Sequence, residues 1–181
     1  TGQSDDVFIK TIKQIEAMKT QTIGVEIEMA EITRRKAIGV VADFFGTRGS
    51  INHAGGGYDS WTCKDVKGRT WTVMRDVSIN ATSDLKKAEL VTPILRYEDI
   101  EDLQEIVRRL RRAGAISNPD YGCGVHIHIG ADGHTPKTLR NLANIMACHE
   151  DLRIGALNLD RSRINRYAKT VDPDFLSALN Q

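Results

Sequence analysis

The chain has 181 residues, 40% of them hydrophobic and 27% charged, and carries a formal net charge of +1. That balance suits one globular domain, or slightly more than one, with a real core and excludes a strongly basic nucleic-acid or membrane-surface binder, because no global field favours either partner. The apolar runs are too short to span a bilayer, and the opening TGQSDD lacks the basic end and apolar centre of a signal peptide.

The absence of an initial Met reads as processing, a tag or excision. Three cysteines, Cys63, Cys123 and Cys148, form no disulfide framework and no C-x-x-C pair. They imply reduced thiols in a cytoplasmic setting and no zinc knuckle.

In chain order, residues 6–19 place Val7, Phe8, Ile12, Ile15 and Met18 near helical spacing, so residues 1–20 read as an N-terminal helical extension. Residues 22–32, TIGVEIEMAEI, alternate. Ile23, Val25, Ile27 and Met29 are apolar, whereas Gly24, Glu26, Glu28 and Ala30 are small or acidic. Period two predicts a strand with one face on a core and both carboxylates on the other, roughly 7 Å apart. Such a pair is either a solvated outer face or half of a site for a hard divalent cation.

Thr33 caps a predicted helix over 34–45, with Ile38, Val41, Phe44 and Phe45 inward and Gly46 past its end. Its leading Arg34 and Arg35 oppose the helix dipole. Residues 46–59 read as a loop, and its Gly55–Gly57 run is a connector or a close-approach element rather than a phosphate loop. Residues 60–76 predict a β-hairpin turning at Val66–Gly68 and ending on Asp76. Residues 80–87 are polar and loop-like. Residues 88–95, AELVTPIL, predict a strand stopped at Pro93, with Glu89 in an otherwise apolar run.

Residues 98–112 give the clearest helix, with Ile100, Leu103, Ile106, Val107 and Leu110 as its stripe, and with acids leading and arginines trailing. Residues 121–132, YGCGVHIHIGAD, alternate like the opening strand. Val125, Ile127 and Ile129 face one side, and Gly124, His126, His128 and Gly130 the other. Two imidazoles bracketed by glycines are a ligand or phosphate contact, or a hydrogen-bonded surface pair. Thr135 and Pro136 open a helix predicted to run to about Asp151, with Leu139, Leu142, Ala143, Ile145 and Met146 mostly inward. Residues 160–169 gather Arg161, Arg163, Arg166 and Lys169, an anion site or a solvated basic segment. Asp172–Pro173 starts a last short helix.

Acids and imidazoles thus arise on three strands, with Asp76 as a fourth source. Carboxylates with an added imidazole suit Mg²⁺ or Mn²⁺ better than zinc and suit metals that clamp phosphate oxygens.

The ordered set GVEIEM, WTVMRDVSI, AELVTPIL and CGVHIHIG resembles the amidoligase family, within the glutamine synthetase and glutamate–cysteine ligase superfamily, over about residues 20–170. The resemblance implies an α+β fold in which a curved antiparallel sheet, a half-barrel of the glutamine synthetase type, is backed by helices on its convex face. It implies one amidoligase-like domain over 1–181, truncated relative to family members that continue into a further strand bearing an acid and an arginine. Glu26, Glu28, Glu89 and His126 would be metal ligands. His126, His128 and Arg161 would contact the nucleotide. Asp76, at the site edge, and Arg163 and Arg166, standing in for the late arginine, would be catalytic.

The implied cofactors are ATP and Mg²⁺ or Mn²⁺. The implied reaction joins a small-molecule or peptide carboxylate to an amine through an acyl phosphate, with no nucleic-acid or membrane partner; nothing in the sequence points to an oligomeric state. Two other readings remain: a non-catalytic or split binding module with the same fold, and a metal-dependent hydrolase using the H-x-H pair.

Overall fold

The computed structural model of the protein describes residues 2–164 and 169–181, with side chains described at 7–160, 163–164 and 169–181. It divides into two compact units, residues 1–130 and 131–181.

The first unit runs α1 (Gly2–Lys19), β1 (Ile23–Met29), α2 (Arg34–Phe45), β2 (Asn52–Gly55), β3 (Ser60–Lys64), β4 (Thr70–Met74), β5 (Ala88–Val91), α3 (Ile100–Arg112) and β6 (Val125–Ile129). The six strands form one open sheet in the order β2-β3-β4-β5-β1-β6, with every neighbouring pair antiparallel. Strand β1, the predicted opening strand, therefore lies between β5 and β6. The chain is a mixed helix-and-sheet protein, as expected.

The alternation in β1 sets the two faces. Val25, Ile27 and Met29 are buried and share a core with Ile38 and Val41 of α2, Trp71 and Val73 of β4, Leu90 of β5, and Leu103, Ile106 and Leu110 of α3. Helix α2 packs on β3, β4 and β5, and α3 packs on α2. Each fully buried Ile or Leu here contributes roughly 1.5–3 kcal/mol. The opposite face of the sheet, with neither α2 nor α3 on it, carries Glu26, Glu28 and their row partners.

Helix α2 matches its predicted bounds. The Thr33 hydroxyl accepts from Lys36 N–H, and Gly46 closes the helix at φ 69°, a left-handed cap that glycine adopts without strain. The predicted opposition of Arg34 to the dipole is not what the side chain does. Arg34 is buried: its Nε and Nη2 donate to Asp59 Oδ2 at 2.9 and 2.6 Å, and its Nη1 donates to the carbonyls of Asp84 and Lys87. The predicted loop at 46–59 instead contains a 3-10 turn at 48–50 and edge strand β2. The tertiary ladder with β3 overrides the weak local pattern of N-H-A-G.

At the β3–β4 turn lies an ionic network, centred on the buried acids Asp65 and Asp99, that the sequence pattern does not announce. Asp65 accepts from the backbone N–H groups of Lys67 and Arg69, from Arg69 Nε at 2.7 Å and from Trp71 Nε1 at 3.2 Å. Arg69 also reaches Asp99, which Lys67 contacts as well. Asp99 accepts from Arg96 N–H ahead of α3, so the network ties the hairpin to the start of that helix.

The second unit holds α4 (Pro136–Cys148), α5 (Glu150–Ala156), α6 (Arg161–Ile164) and α7 (Pro173–Leu179). Thr135 and Asp172 cap α4 and α7 with Pro at the first helical position, as their sequences predict. The helix predicted to continue to Asp151 stops at Cys148, where His149 leaves helical geometry (φ −114°, ψ 17°), and α5 follows. Leu139, Leu142, Ile145 and Met146, expected inward, are exposed, and both buried core clusters draw only on the first unit. Among the described residues, no helix is long and apolar enough to cross a membrane.

Candidate metal and active site

The registers of β1 with its two neighbours assemble the site. Glu28 stands opposite Glu89 of β5, and Glu26 stands opposite His126 of β6, with Gly24 opposite His128. Glu26, Glu28, Glu89 and His126, up to 100 positions apart, thus meet on one face because each strand alternates with period two. Continuing β4 by the same alternation from Thr72 through Met74 brings Asp76 to this face beside Glu89, since Met74 pairs with Glu89.

Each carboxylate is held differently. Glu28 is buried, and its Oε2 accepts from the Gly124 backbone N–H at 2.6 Å. Glu26 is bracketed: His126 Nδ1 lies 3.1 Å from Oε2 and His128 Nε2 lies 3.2 Å from Oε1. Asp76 uses Oδ1 to accept from Ser78 N–H at 2.7 Å, an Asx turn that fixes its rotamer. Burial pushes the Glu89 carboxyl up to about 7, helped by the charges of Glu26, Asp76 and Glu28 and opposed by His126. A carboxyl raised by burial and three like charges is a group short of a cation.

Two sets of ligand atoms lie within 4.8 Å of one another: Glu26, Glu89 and His126, and Glu28, Asp76 and Glu89. Glu89 belongs to both. Three oxygen donors, or two with one imidazole, leave coordination positions open for water and substrate oxygens, which suits Mg²⁺ or Mn²⁺. The donor set therefore fits a pair of hard divalent cations.

The loop between Asp76 and Glu89 is pinned from below. Glu31, at φ 63°, accepts from Thr82 N–H and Oγ1 and from Lys86 Nζ, and these contacts, Lys86 foremost, hold its carboxyl down to about 2.

Just past β6, the chain packs tightly against Thr22. A Cβ added at Gly130 would run into Thr22 Oγ1 and would lie 3.3 Å from the Thr22 carbonyl oxygen. Gly130→Ala is therefore expected to cost about 1–3 kcal/mol in urea denaturation, and Thr22→Ala in the same chain to restore most of it. Independent, additive costs for the two changes would refute the close approach.

Of the residues singled out in the sequence, Glu26, Glu28, Glu89, His126, His128 and Asp76 are brought together. Asp76, expected at the site edge, joins the Glu28 and Glu89 cluster; counting the alternation from Thr72 would have placed it. His128 contacts Glu26. Arg163 sits on α6 of the second unit. The side chain of Arg161, and Arg166 altogether, lie outside the described residues. The apolar side of β6, Val125, Ile127 and Ile129, is exposed.

No curated protein matches the chain, and no solved structure does. A family model does match, over residues 19–181, and its description is "Putative amidoligase enzyme". That span includes all six strands and every residue of the two carboxylate clusters, so the chain belongs to this amidoligase family.

Proposed function

We propose that the protein is an ATP-dependent carboxylate–amine ligase that works through an acyl phosphate, on a sheet of the glutamine synthetase type. The observation that carries this reading is the pair of three-residue clusters sharing Glu89 on the sheet face opposite α2 and α3. One cluster would hold the cation that neutralises the transferring phosphoryl group, and the other the cation facing the acyl-phosphate oxygens. When bound, the two cations supply charge neutralisation and orientation for phosphoryl transfer.

The reaction balances simply. A carboxylate oxygen attacks the γ-phosphorus and ADP leaves. An amine nitrogen then attacks the acyl carbon, phosphate leaves, and the amine proton passes to solvent or a nearby base. The chain's own contribution is positioning. The Gly124 N–H fixes Glu28, the two imidazoles fix Glu26, and the Ser78 N–H fixes Asp76. Glu89 sheds its proton as positive charge arrives.

Mn²⁺ titration and coupled ADP release test the reading together. Glu26→Ala is expected to weaken Mn²⁺ binding at least tenfold and to abolish ADP release that depends on both an acid and an amine. Unchanged Mn²⁺ affinity in that variant would remove the site. Tight Mn²⁺ binding in the parent without ADP release for any acid and amine pair would favour a binding module.

A further inference from the structure

We propose that the outer edge of β6 docks a second copy of this chain, the two β6 strands pairing antiparallel about a two-fold axis at Ile127. The proposal does not depend on the ligase reading.

The sheet has two edges, and they are built differently. Strand β2 is four residues long, ends in glycine and carries a register shift between His53 and Gly55. Short length, glycine and a bulge are features that keep an edge from adding another strand. Strand β6 has none of them. Its register with β1 runs unbroken from Ile129 to Val125, and it holds no lysine, arginine, proline or acid.

The ladder shows which backbone groups face outward. The Gly124 carbonyl accepts from Glu28 N–H, and Gly130 N–H donates to the Thr22 carbonyl. Antiparallel ladders alternate, so Gly124, His126, His128 and Gly130 direct their backbone groups to β1. Val125, Ile127 and Ile129 direct theirs the other way, and no described backbone group meets them. Their side chains are exposed as well, at 54, 65 and 54%. They share a face with Ile27, which pairs with Val125 and lines an apolar cavity of about 490 Å³ together with Met29, Val107 and Leu110.

The sequence of the edge selects the occupant. GVHIHIG, residues 124–130, reads almost the same in both directions. Turned back on itself about Ile127, it sets Gly124 opposite Gly130, Val125 opposite Ile129, His126 opposite His128 and Ile127 opposite its own copy. The outward groups of Val125, Ile127 and Ile129 then fall in hydrogen-bonded pairs, giving about six interchain backbone bonds. The imidazoles fall in the closer, non-hydrogen-bonded pairs, and the partner's His128 joins the row of Glu26 and His126. A self-complementary edge fits the isologous contact of a two-fold dimer, in which every interaction occurs twice. An unrelated extended peptide would use the same backbone row without matching the side chains pair by pair. One short strand edge is smaller than the ~1,200 Å² of a standard interface, so the expected association is micromolar.

Sedimentation of the full chain from about 1 to about 300 µM tests this, with amide exchange measured at both ends of the range. The parent is expected to pass from monomer to dimer, and the Val125, Ile127 and Ile129 amides to slow as it does so. Val125→Lys is expected to weaken the dimer about tenfold, and Val125→Lys with Ile129→Glu to recover at least about threefold of that loss. The two new charges meet only across the chains, because within one chain the positions stand about 14 Å apart. That recovery separates lost pairing from lost folding. A parent that stays monomeric throughout, a dimer that Val125→Lys leaves intact, or a double variant no tighter than Val125→Lys alone would each overturn the assignment. A monomer whose three outward amides are already slow would overturn it too, since another segment of the chain then covers the edge.

Discussion

Glu89→Gln should make the metal-free protein more stable at pH 8, by on the order of 2–3 kcal/mol, while removing its response to Mn²⁺. The Glu89 carboxyl stands at about 7 in the folded chain against an ordinary 4.5, because burial and the charges of Glu26, Asp76 and Glu28 disfavour its ionised form. The folded state therefore binds the proton more tightly than the unfolded state. The stability contributed by that difference is fully present below pH 4.5 and is lost as pH rises through 7. Glutamine keeps the shape without the titration, so its advantage over the parent grows across that window and levels off above it. Urea denaturation at pH 4.5, 6 and 8 measures this directly. With Mn²⁺ present the order should reverse, because the parent gains a ligand-linked term that the variant cannot. A variant less stable than the parent at pH 8 without metal would mean that the like-charge crowding at Glu89 is not as derived.

The second large effect falls far from the site. Asp65→Ala is expected to cost about 3–5 kcal/mol, because it leaves Arg69 short of a partner and the Trp71 indole N–H buried with none. Asp65→Asn retains an acceptor oxygen and should cost less. The same network fixes the acid limb of stability. Burial pushes the Asp65 carboxyl up, but the backbone and side-chain donors of Arg69 and the Trp71 indole outweigh it and hold it below its ordinary 3.8. Arg69 foremost holds Asp99 down as well. Both contributions are present above pH 3.8 and are lost as pH falls through the depressed values. Chemical denaturation of Asp65→Ala at pH 7 and pH 2.5 should therefore show the gap from the parent narrowing at the lower pH.

The carboxylate face was readable because strands reveal it. TIGVEIEM and GVHIHIG fix which side chains share a face, and alternation needs no tertiary knowledge. Register was not readable: nothing in the sequence says that Glu28 meets Glu89, or that His126 rather than His128 joins Glu89. Asp76 lies past the end of β4, where turn chemistry masks the alternation it continues. The Arg34 and Asp65 networks were missed for a different reason. Their partners are carbonyls and acids 25 to 53 residues away, or turn groups whose geometry only the folded hairpin supplies. The 46–59 stretch looked like a loop because an edge strand of four residues carries too little pattern to outvote its glycines.

The place of β6 in the sheet has a kinetic consequence. His126 meets Glu26 across 100 residues, and among the described strands β6 has β1 as its single neighbour. Closing so long a loop costs entropy before its contacts can offset it, so this pairing is expected to form late in folding. An edge strand with exposed side chains is also among the first segments to open. On the proposed reading, metal affinity would report whether the last strand has docked, and amide exchange along Val125–Ile129 should slow when Mn²⁺ is added.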